Sequence, residues 1–222
     1  MKTWRNWSLV LFGVLALAGT TPAQEKKPGS EGKKDQPGKG EGTPPGMSAE
    51  QAAEMQAWMK SSIPGPEHKQ LEYMVGNFDV AVKSWMDPTA PPMESKGTST
   101  AEWILGGRWV RHTFTGDFMG MAFEGRGITG FDNIDKKYVS IWVDTMMTGL
   151  MHDTGTYDPA SRTFTFTGEF KSPLGKIVKS RTTIRVNSND QHLMNMYHTE
   201  QDKPETKVME LTYNRTKAPP KP

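Results

Sequence analysis

The sequence predicts an all-β protein, an antiparallel up-and-down barrel of about ten strands preceded by one or two short helices. Between residues 77 and 214, apolar and polar side chains alternate with a period of two, and turn signals rich in Gly, Asn, Asp and Pro interrupt this stretch at even intervals. No helical pattern separates these segments, so consecutive strands are expected to pair through tight connections. Closure into a barrel removes the two exposed edges of an open sheet. A sandwich of two sheets is the alternative that periodicity leaves open.

The chain begins with the three parts of a secretory signal. Lys2 and Arg5 are basic, residues 9–18 are apolar, and a run of small residues ends at Ala23. Because roughly 20 apolar residues are needed to span a bilayer, we expect cleavage near Ala23 rather than an uncleaved anchor. The mature protein is then secreted or periplasmic and has no transmembrane segment.

Residues 24–46 contain ten Gly or Pro residues, nine charged residues and no apolar side chain. Such a segment has nothing to bury, so a disordered linker is expected. With residues 1–23 removed, 27 basic residues become 25, against 25 acidic ones. This balance offers no basic footprint for nucleic acid. The chain has no cysteine, which excludes disulfides, thiol nucleophiles and cysteine-type zinc sites.

Short helices are expected within residues 47–76. Ser48 and Gln51 have the spacing of a capping box at the start of a helix-forming run that extends to residue 60. Three apolar side chains share one face of this helix, which predicts that the helix docks by that stripe. The stripe consists of Met55, Trp58 and Met59.

A second helix is expected at about residues 67–74, with Leu71, Met74 and Val75 on its buried side, and Gly76 ends it. The barrel then occupies residues 77–215, followed by a flexible tail at 216–222. The strands are expected at residues 77–86, 97–105, 108–116, 121–131, 137–146, 149–157, 163–170, 177–186, 191–199 and 206–214.

Four segments of the barrel region resemble a known family. They are DPTAPPMESKGTSTAEWILGGRWV (residues 87–110), GDFMGMAFEGRGITGFDNIDKKYVSIWVD (116–144), GTYD (155–158) and TFTFTGE (163–169). Their order and composition are similar to those of the bacterial domain of unknown function 1579 family, over about residues 66–215. The resemblance implies a lipocalin-like β-barrel, often exported, with no established reaction. It carries over no catalytic residue and leaves any cofactor unknown.

Because alternate residues of a barrel strand face the lumen, parity selects candidate ligand-binding side chains. His112 and Phe114 share one face of their strand, as do Trp142 and Asp144 on another, where both faces are plausible interiors. Aromatic and methionine side chains suit an apolar ligand, although ordinary core packing is the more common reason for them. The candidates are Trp85, Trp103, His112, Phe114, Trp142, Asp144, Met194 and Met196.

The chain has fifteen methionines, and several are grouped where strand ends meet loops. Flexible, polarisable side chains at the mouth of a barrel would accept apolar ligands of varied shape. This group consists of Met119, Met121, Met146, Met147 and Met151.

Evidence for catalysis is sparse. The sequence has no nucleophile elbow, zinc-protease helix or phosphate loop, and the glycines of EGRGITG lie within a strand and open no helix. His112 and Asp144 could meet across the lumen as a base and the group that orients it. Without further support, an enzyme is not favoured.

One strand carries two histidines and two methionines on a single face, a combination that suits copper or haem iron. His192 and His198 are about 20 Å apart along an extended strand, so they cannot bind one metal without ligands from other strands. We therefore expect Met194 and Met196 to fill the core and the histidines to lie at opposite, wetter strand ends.

The sequence thus favours a barrel that binds a small apolar or amphipathic ligand without catalysis. A structural or interaction module of the cell envelope is one alternative. A haem- or metal-binding barrel is the other.

Overall fold

The computed structural model describes residues 46–200 and 203–216. Helix α1 (Ala49–Ser61), helix α2 (Pro66–Lys69) and a 3₁₀ helix (Gln70–Met74) precede ten strands. The strands are β1 (Gly76–Ser84), β2 (Met93–Ile104), β3 (Trp109–Phe118), β4 (Met121–Asp132), β5 (Lys137–Asp144), β6 (Met151–Asp158), β7 (Thr163–Lys171), β8 (Ile177–Val186), β9 (Gln191–Glu200) and β10 (Thr206–Arg215). The expected signal, and all but one residue each of the expected linker and tail, lie outside the described residues.

The ten strands form one closed antiparallel barrel in which each strand pairs with its neighbours in sequence. Closure comes from β1, which pairs with β2 on one side and with β10 on the other. The predicted barrel is therefore confirmed and the two-sheet sandwich is wrong. Within the described part of the chain, no helix is long and apolar enough to cross a membrane.

Up-and-down connectivity gives the barrel two different ends. The β2–β3, β4–β5, β6–β7 and β8–β9 connections lie at the end where the helices meet the sheet, which we term the closed end. The other five connections lie at the opposite end, which we term the open end. The candidate site depends on this difference.

The closed end is filled by the 3₁₀ helix. Leu71 is fully buried and Met74 is 4% exposed, and both pack against inward side chains of the strands, including Val110 and Phe164, which are also fully buried. The predicted buried side of the second helix is confirmed. Burial of two such apolar side chains stabilises the fold by roughly 3–6 kcal/mol.

Polar contacts hold the 3₁₀ helix, which we term the plug, in the closed end of the barrel. The Tyr138 hydroxyl donates to the Glu67 carbonyl at 2.9 Å, and the Arg215 guanidinium donates to the Val75 carbonyl at 2.5 Å. Gly76 follows with a φ of +135°, a backbone conformation that favours glycine, and it lies against the Arg215 guanidinium. The first and last strands are thereby joined to the plug.

Helix α1 begins as predicted. The Ser48 hydroxyl accepts a hydrogen bond from the Gln51 amide at 3.2 Å, and the Gln51 side chain accepts one from the Ser48 amide at 2.9 Å. This reciprocal pair is the capping box that the spacing of the two residues predicted.

The prediction that α1 docks by its apolar stripe is wrong. Met55, Trp58 and Met59 are all exposed, and α1 buries no residue. The helix is attached at its C-terminal end, where the Asn133 amide donates to the Ser61 carbonyl at 2.7 Å. The barrel end itself is filled by the 3₁₀ helix, whose Leu71 and Met74 are buried there in place of the stripe.

Candidate functional site

Strand register and burial agree on five of the candidate side chains. His112 and Phe114 on β3, Trp142 on β5, and Met194 and Met196 on β9 all occupy lumen-facing positions. Four of them, all but His112, belong to one apolar cluster whose buried members come from β1, β3 and β10. Parity placed these residues correctly; whether they bind a ligand stays a prediction.

Two of the candidate tryptophans lie elsewhere. Trp103 faces the lumen at the closed end, where its indole N–H donates to Glu72 at 2.7 Å, so it belongs to the plug. Trp85 follows the buried Ser84 and therefore lies on the outer face, where the Lys207 ammonium is 5.5 Å from its ring centre. Trp85 does not line the lumen, because the chain leaves β1 just before it and alternation turns its side chain outward.

The lumen has two halves. Near the closed end, inward side chains such as Tyr138 and Phe166 are about as buried as the plug itself, each 3% exposed. Towards the open end, Val82 and Val178 are buried but several other inward side chains keep partial access to solvent, and we term this region the open half. It is lined by Phe123, Trp142, Met151, Asp153, Phe170, Met196, His198 and Met209.

The Trp142 indole forms one wall of the open half. It lies across Gly125 and Gly127 of the neighbouring strand, where a Cβ on Gly127 would stand only 2.8 Å from the Ile141 carbonyl oxygen. Glycine is therefore required for this close approach. The indole N–H donates to Asp144 at 3.0 Å, which fixes the orientation of the ring.

The expected pairing of His112 with Asp144 does not form. The Asp144 carboxylate accepts hydrogen bonds from the Trp142 indole and, at 2.8 Å, from the Met146 amide. Asp144 lies nearer the open end than His112, and its carboxylate is bound by the Trp142 indole instead. The His112 Nε2 atom is enclosed and has no hydrogen-bond partner among the described residues.

The expectation that His192 lies at a wet strand end is wrong. Its ring is 6% exposed, stacks on Tyr213 with centroids 4.4 Å apart and meets the edge of Phe78 at 4.9 Å. Burial lowers the pKa of His192 to about 3, with smaller contributions from His112 and Arg215. The end of β9 is dry because it lies at the closed end of the barrel.

His112 is neutral for the same reason. Burial lowers its pKa to about 4. A neutral imidazole carries one N–H donor and one acceptor nitrogen, so His112 can offer a hydrogen bond to a polar group in the lumen without bringing a charge.

A second polar group, formed by Asp153, Ser180 and His198, lies nearer the open end of the barrel. The Ser180 hydroxyl donates to Asp153 at 3.1 Å, and the carboxylate lies over Gly168, which provides the space for it. Burial raises the pKa of Asp153, and it lowers the pKa of His198, whose ring meets the edge of Phe170 at 5.2 Å.

The Asp153–Ser180–His198 group was not among the candidates predicted from the sequence. Alternation on β6 indicates that Asp153 points inward, but only the register shows that Gly168 separates it from Ser180, with His198 opposite Ser180 on the next strand. The glycine in TFTFTGE was the available signal. Register between strands is not encoded in the period of one strand.

A groove of about 660 Å³ lies on the outer face of β6–β9. Most of the side chains that line it point away from the lumen, among them His152, Thr167 and Lys179. Its other cation, Arg181, is occupied by a two-pronged contact to Glu205 at 2.8 and 2.6 Å. The groove is thus separate from the lumen and its charge is partly neutralised.

The described part of the chain lacks a candidate metal centre. Within residues 46–200 and 203–216, no group of three or more His, Asp and Glu side chains could hold a metal ion. His192 and His198 lie on the same face of β9 but at opposite ends of it, one stacked on Tyr213 and the other near Asp153.

The two buried histidines predict acid sensitivity. In the unfolded chain both bind a proton near their ordinary pKa of 6.5, whereas the folded protein keeps them neutral to about 4 and about 3. Below pH 6.5 the unfolded state therefore binds more protons, and stability falls as the pH falls, by about 1.4 kcal/mol per pH unit for each histidine. The raised pKa of Asp153 offsets part of this loss.

Urea denaturation between pH 7 and about pH 4.5 measures this slope. His192→Phe, which keeps an aromatic ring against Tyr213, should make the slope shallower, and the matched substitution of the exposed His152 by Phe should leave it unchanged. Equal slopes for the two variants would contradict the attribution of acid sensitivity to buried His192.

Solved structures of similar shape share little sequence with the chain. Rv2717c from M. tuberculosis has a TM-score of 0.51 and 12% identity, over 70% of this chain and 100% of that one. The S-type phycobiliprotein lyase CPES from Guillardia theta has a TM-score of 0.48 and 11% identity, over 73% and 98%. A redesigned β-barrel has a TM-score of 0.35 and 13% identity, over 67% and 96%. At such identity, the likeness to Rv2717c shows the fold alone.

No curated protein matches the chain in sequence. A family model does match, over residues 63–215, a span that contains α2, the 3₁₀ helix and every strand of the barrel. The resemblance noted in the sequence is confirmed. The chain belongs to the family described as Protein of unknown function (DUF1579).

Proposed function

We propose that the protein binds a small apolar or amphipathic molecule in the open half of the lumen, without catalysis. The observation that carries the proposal is the contrast between the two halves. Leu71, Val110 and Phe164 are fully buried at the closed end, whereas several inward side chains of the open half, among them Phe123 and Met196, keep partial access to solvent. Side chains as apolar as Phe123 and Met196 would be fully covered if the lumen were packed throughout.

The lining of the open half fits an apolar body. Phe123, Trp142 and Phe170 supply flat surfaces, and methionines supply flexible ones that adapt to different shapes. Sites of this kind are mainly apolar, with a few polar groups that orient the ligand.

Two polar positions suit the other end of an amphipathic ligand. The enclosed His112 Nε2 has no partner among the described residues, and an unpaired buried polar atom costs about 1–3 kcal/mol. A ligand hydroxyl or carbonyl would remove this penalty. Asp153, Ser180 and His198 offer a second polar position nearer the mouth.

The His112 position supports binding over chemistry. His112 lacks an acid or base within hydrogen-bond distance in the described part of the chain, and the Asp144 carboxylate is engaged by Trp142 and Met146. Neither arrangement provides the nucleophile and base pair that acyl or phosphoryl transfer requires.

We also propose that the barrel works outside the cytoplasm. The support is the basic, apolar and small-residue succession in residues 1–23. N-terminal sequencing of the protein recovered from its host should give Gln24 as the first residue. A chain that still begins at Met1 would contradict this part of the proposal.

Substitution of adjacent residues on opposite faces of β6 tests where the ligand binds. Met151 lines the open half and His152 lines the outer groove. Met151→Trp should fill the lumen and weaken binding of the neutral dye Nile red at least ten-fold, because the indole takes the space of the ligand. Fluorescence titration measures the affinity.

His152→Trp is the matched control, since it places the same ring outside the barrel. Its affinity for Nile red should equal that of the unchanged protein. Loss of binding in this variant alone would assign the ligand to the outer groove and contradict the proposal.

The role of His112 is tested by His112→Phe, which keeps a ring and removes both nitrogens. The empty protein should become more stable by roughly 1 kcal/mol, because an unpaired polar atom is lost. Nile red, whose carbonyl accepts a hydrogen bond, should bind roughly five-fold more weakly. Diphenylhexatriene, which has no polar group, should bind as before.

Urea denaturation and fluorescence titration give the two measurements. A variant that is less stable and binds both dyes equally weakly would show that His112 only supports the fold.

A further inference from the structure

Two neighbouring hairpins at the open end expose large apolar side chains to solvent. The exposed fractions run from 37% for Met147 to 85% for Leu174. We term this set the apolar rim. It consists of Met146, Met147 and Leu150 in the β5–β6 connection, Leu174 in the β7–β8 connection and Ile177 at the start of β8.

The turn that carries Leu174 is well defined. The Ser172 amide donates to the Lys176 carbonyl and the Gly175 amide donates to the Ser172 carbonyl, each at 2.8 Å. Gly175 has a φ of +79°, which closes the turn. Leu174 therefore projects from a hydrogen-bonded tip, and its exposure is set by the turn itself.

Lysines flank the apolar rim. Lys171 and Lys176 stand on either side of the Leu174 tip, both exposed, and neither makes an ion pair with any residue of 46–200 or 203–216. Glu200, the acid near Lys176 on the next hairpin, is already bound to Lys203 at 2.8 Å. This side of the mouth is thus both apolar and basic.

The opposite side of the mouth is acidic. Asp87 and Glu94 lie at the β1–β2 connection, and Asp117 lies at the end of β3. Met86, Met119 and Met121 are exposed on that side as well, so the two sides of the open end differ in charge, with lysines beside the apolar rim and carboxylates on the other side.

We propose that the apolar rim docks the open end of the barrel on an anionic lipid surface. Leu174 and its neighbours would enter the interface, while Lys171 and Lys176 lie along it with their ammonium groups among the anionic headgroups. Charge complementarity favours this occupant, because one apolar contact alone binds bilayers weakly and a basic neighbour supplies the second contribution. The inference does not depend on ligand binding in the lumen.

The chain has no cysteine, so a single introduced thiol reports on one position. Leu174→Cys in the full chain, labelled with an environment-sensitive fluorophore, should show increased emission at shorter wavelength on addition of vesicles of phosphatidylcholine and phosphatidylglycerol in equal parts. The response should be weaker with phosphatidylcholine alone.

Ile134→Cys, labelled in the same way, is the matched control. Ile134 is 62% exposed in the β4–β5 connection at the closed end, so its fluorophore should stay in water. Because the report is local, binding of the vesicle through residues 9–18 does not imitate the expected result.

The contribution of charge is tested on the labelled Leu174→Cys chain. Lys171→Glu combined with Lys176→Glu should weaken vesicle affinity by at least roughly five-fold for each lysine. Lys137→Glu, at the closed end, should leave the affinity unchanged.

Several outcomes would overturn the proposal. They are no response at position 174, an equal response at position 134, or an affinity insensitive to the two lysines. Concentration-dependent self-association that alters the fluorescence at position 174 without vesicles would assign the rim to a second copy of the chain and would also overturn it. Thermal unfolding of each variant establishes that the barrel is retained.

Discussion

The filling of one end of the barrel by the 3₁₀ helix is the constraint on which the rest of the structure depends. Leu71 and Met74 supply the apolar surface, while Tyr138 and Arg215 satisfy backbone carbonyls of the same segment. A closed sheet of ten strands encloses more space than its own side chains fill at one end, and the helical turn removes that space. The opposite end has no corresponding insert in the described residues, and this difference creates the open half.

The polar groups in the lumen act against the stability that the plug provides. His112, His192 and Asp153 are each held in surroundings that disfavour their charged forms, and His112 lacks a hydrogen-bond partner in the described part of the chain. Apolar side chains of similar size would serve a purely structural core better. Departures of this kind from the rules of core packing are expected where a protein retains groups for a purpose other than folding.

Most of the fold could be predicted from the sequence because local periodicity determines it. The alternation of side chains gave all ten strands to within a few residues, and Ser48 with Gln51 gave the start of α1. Parity also gave the inward position of His112, whereas it left both faces of the Trp142 strand open. These features depend on residues that are close together in the chain.

The errors concern contacts between distant residues. The stripe of α1 remained exposed because another segment had already filled the barrel end, and His192 was buried because its strand end coincides with the plug. The Asp153–Ser180–His198 group required the register of four strands. The side-chain pattern of a single segment does not show which of two segments will occupy a given surface. It also does not show the register between strands.

The plug also has a kinetic consequence. Because the plug fills one end of the lumen, a bound molecule must leave through the open end by which it entered. Two molecules therefore cannot pass one another. Replacement then proceeds through the empty barrel, and its rate is limited by departure of the first occupant, whatever the concentration of the second. Exchange in this protein would accordingly be sequential, in contrast to a channel open at both ends.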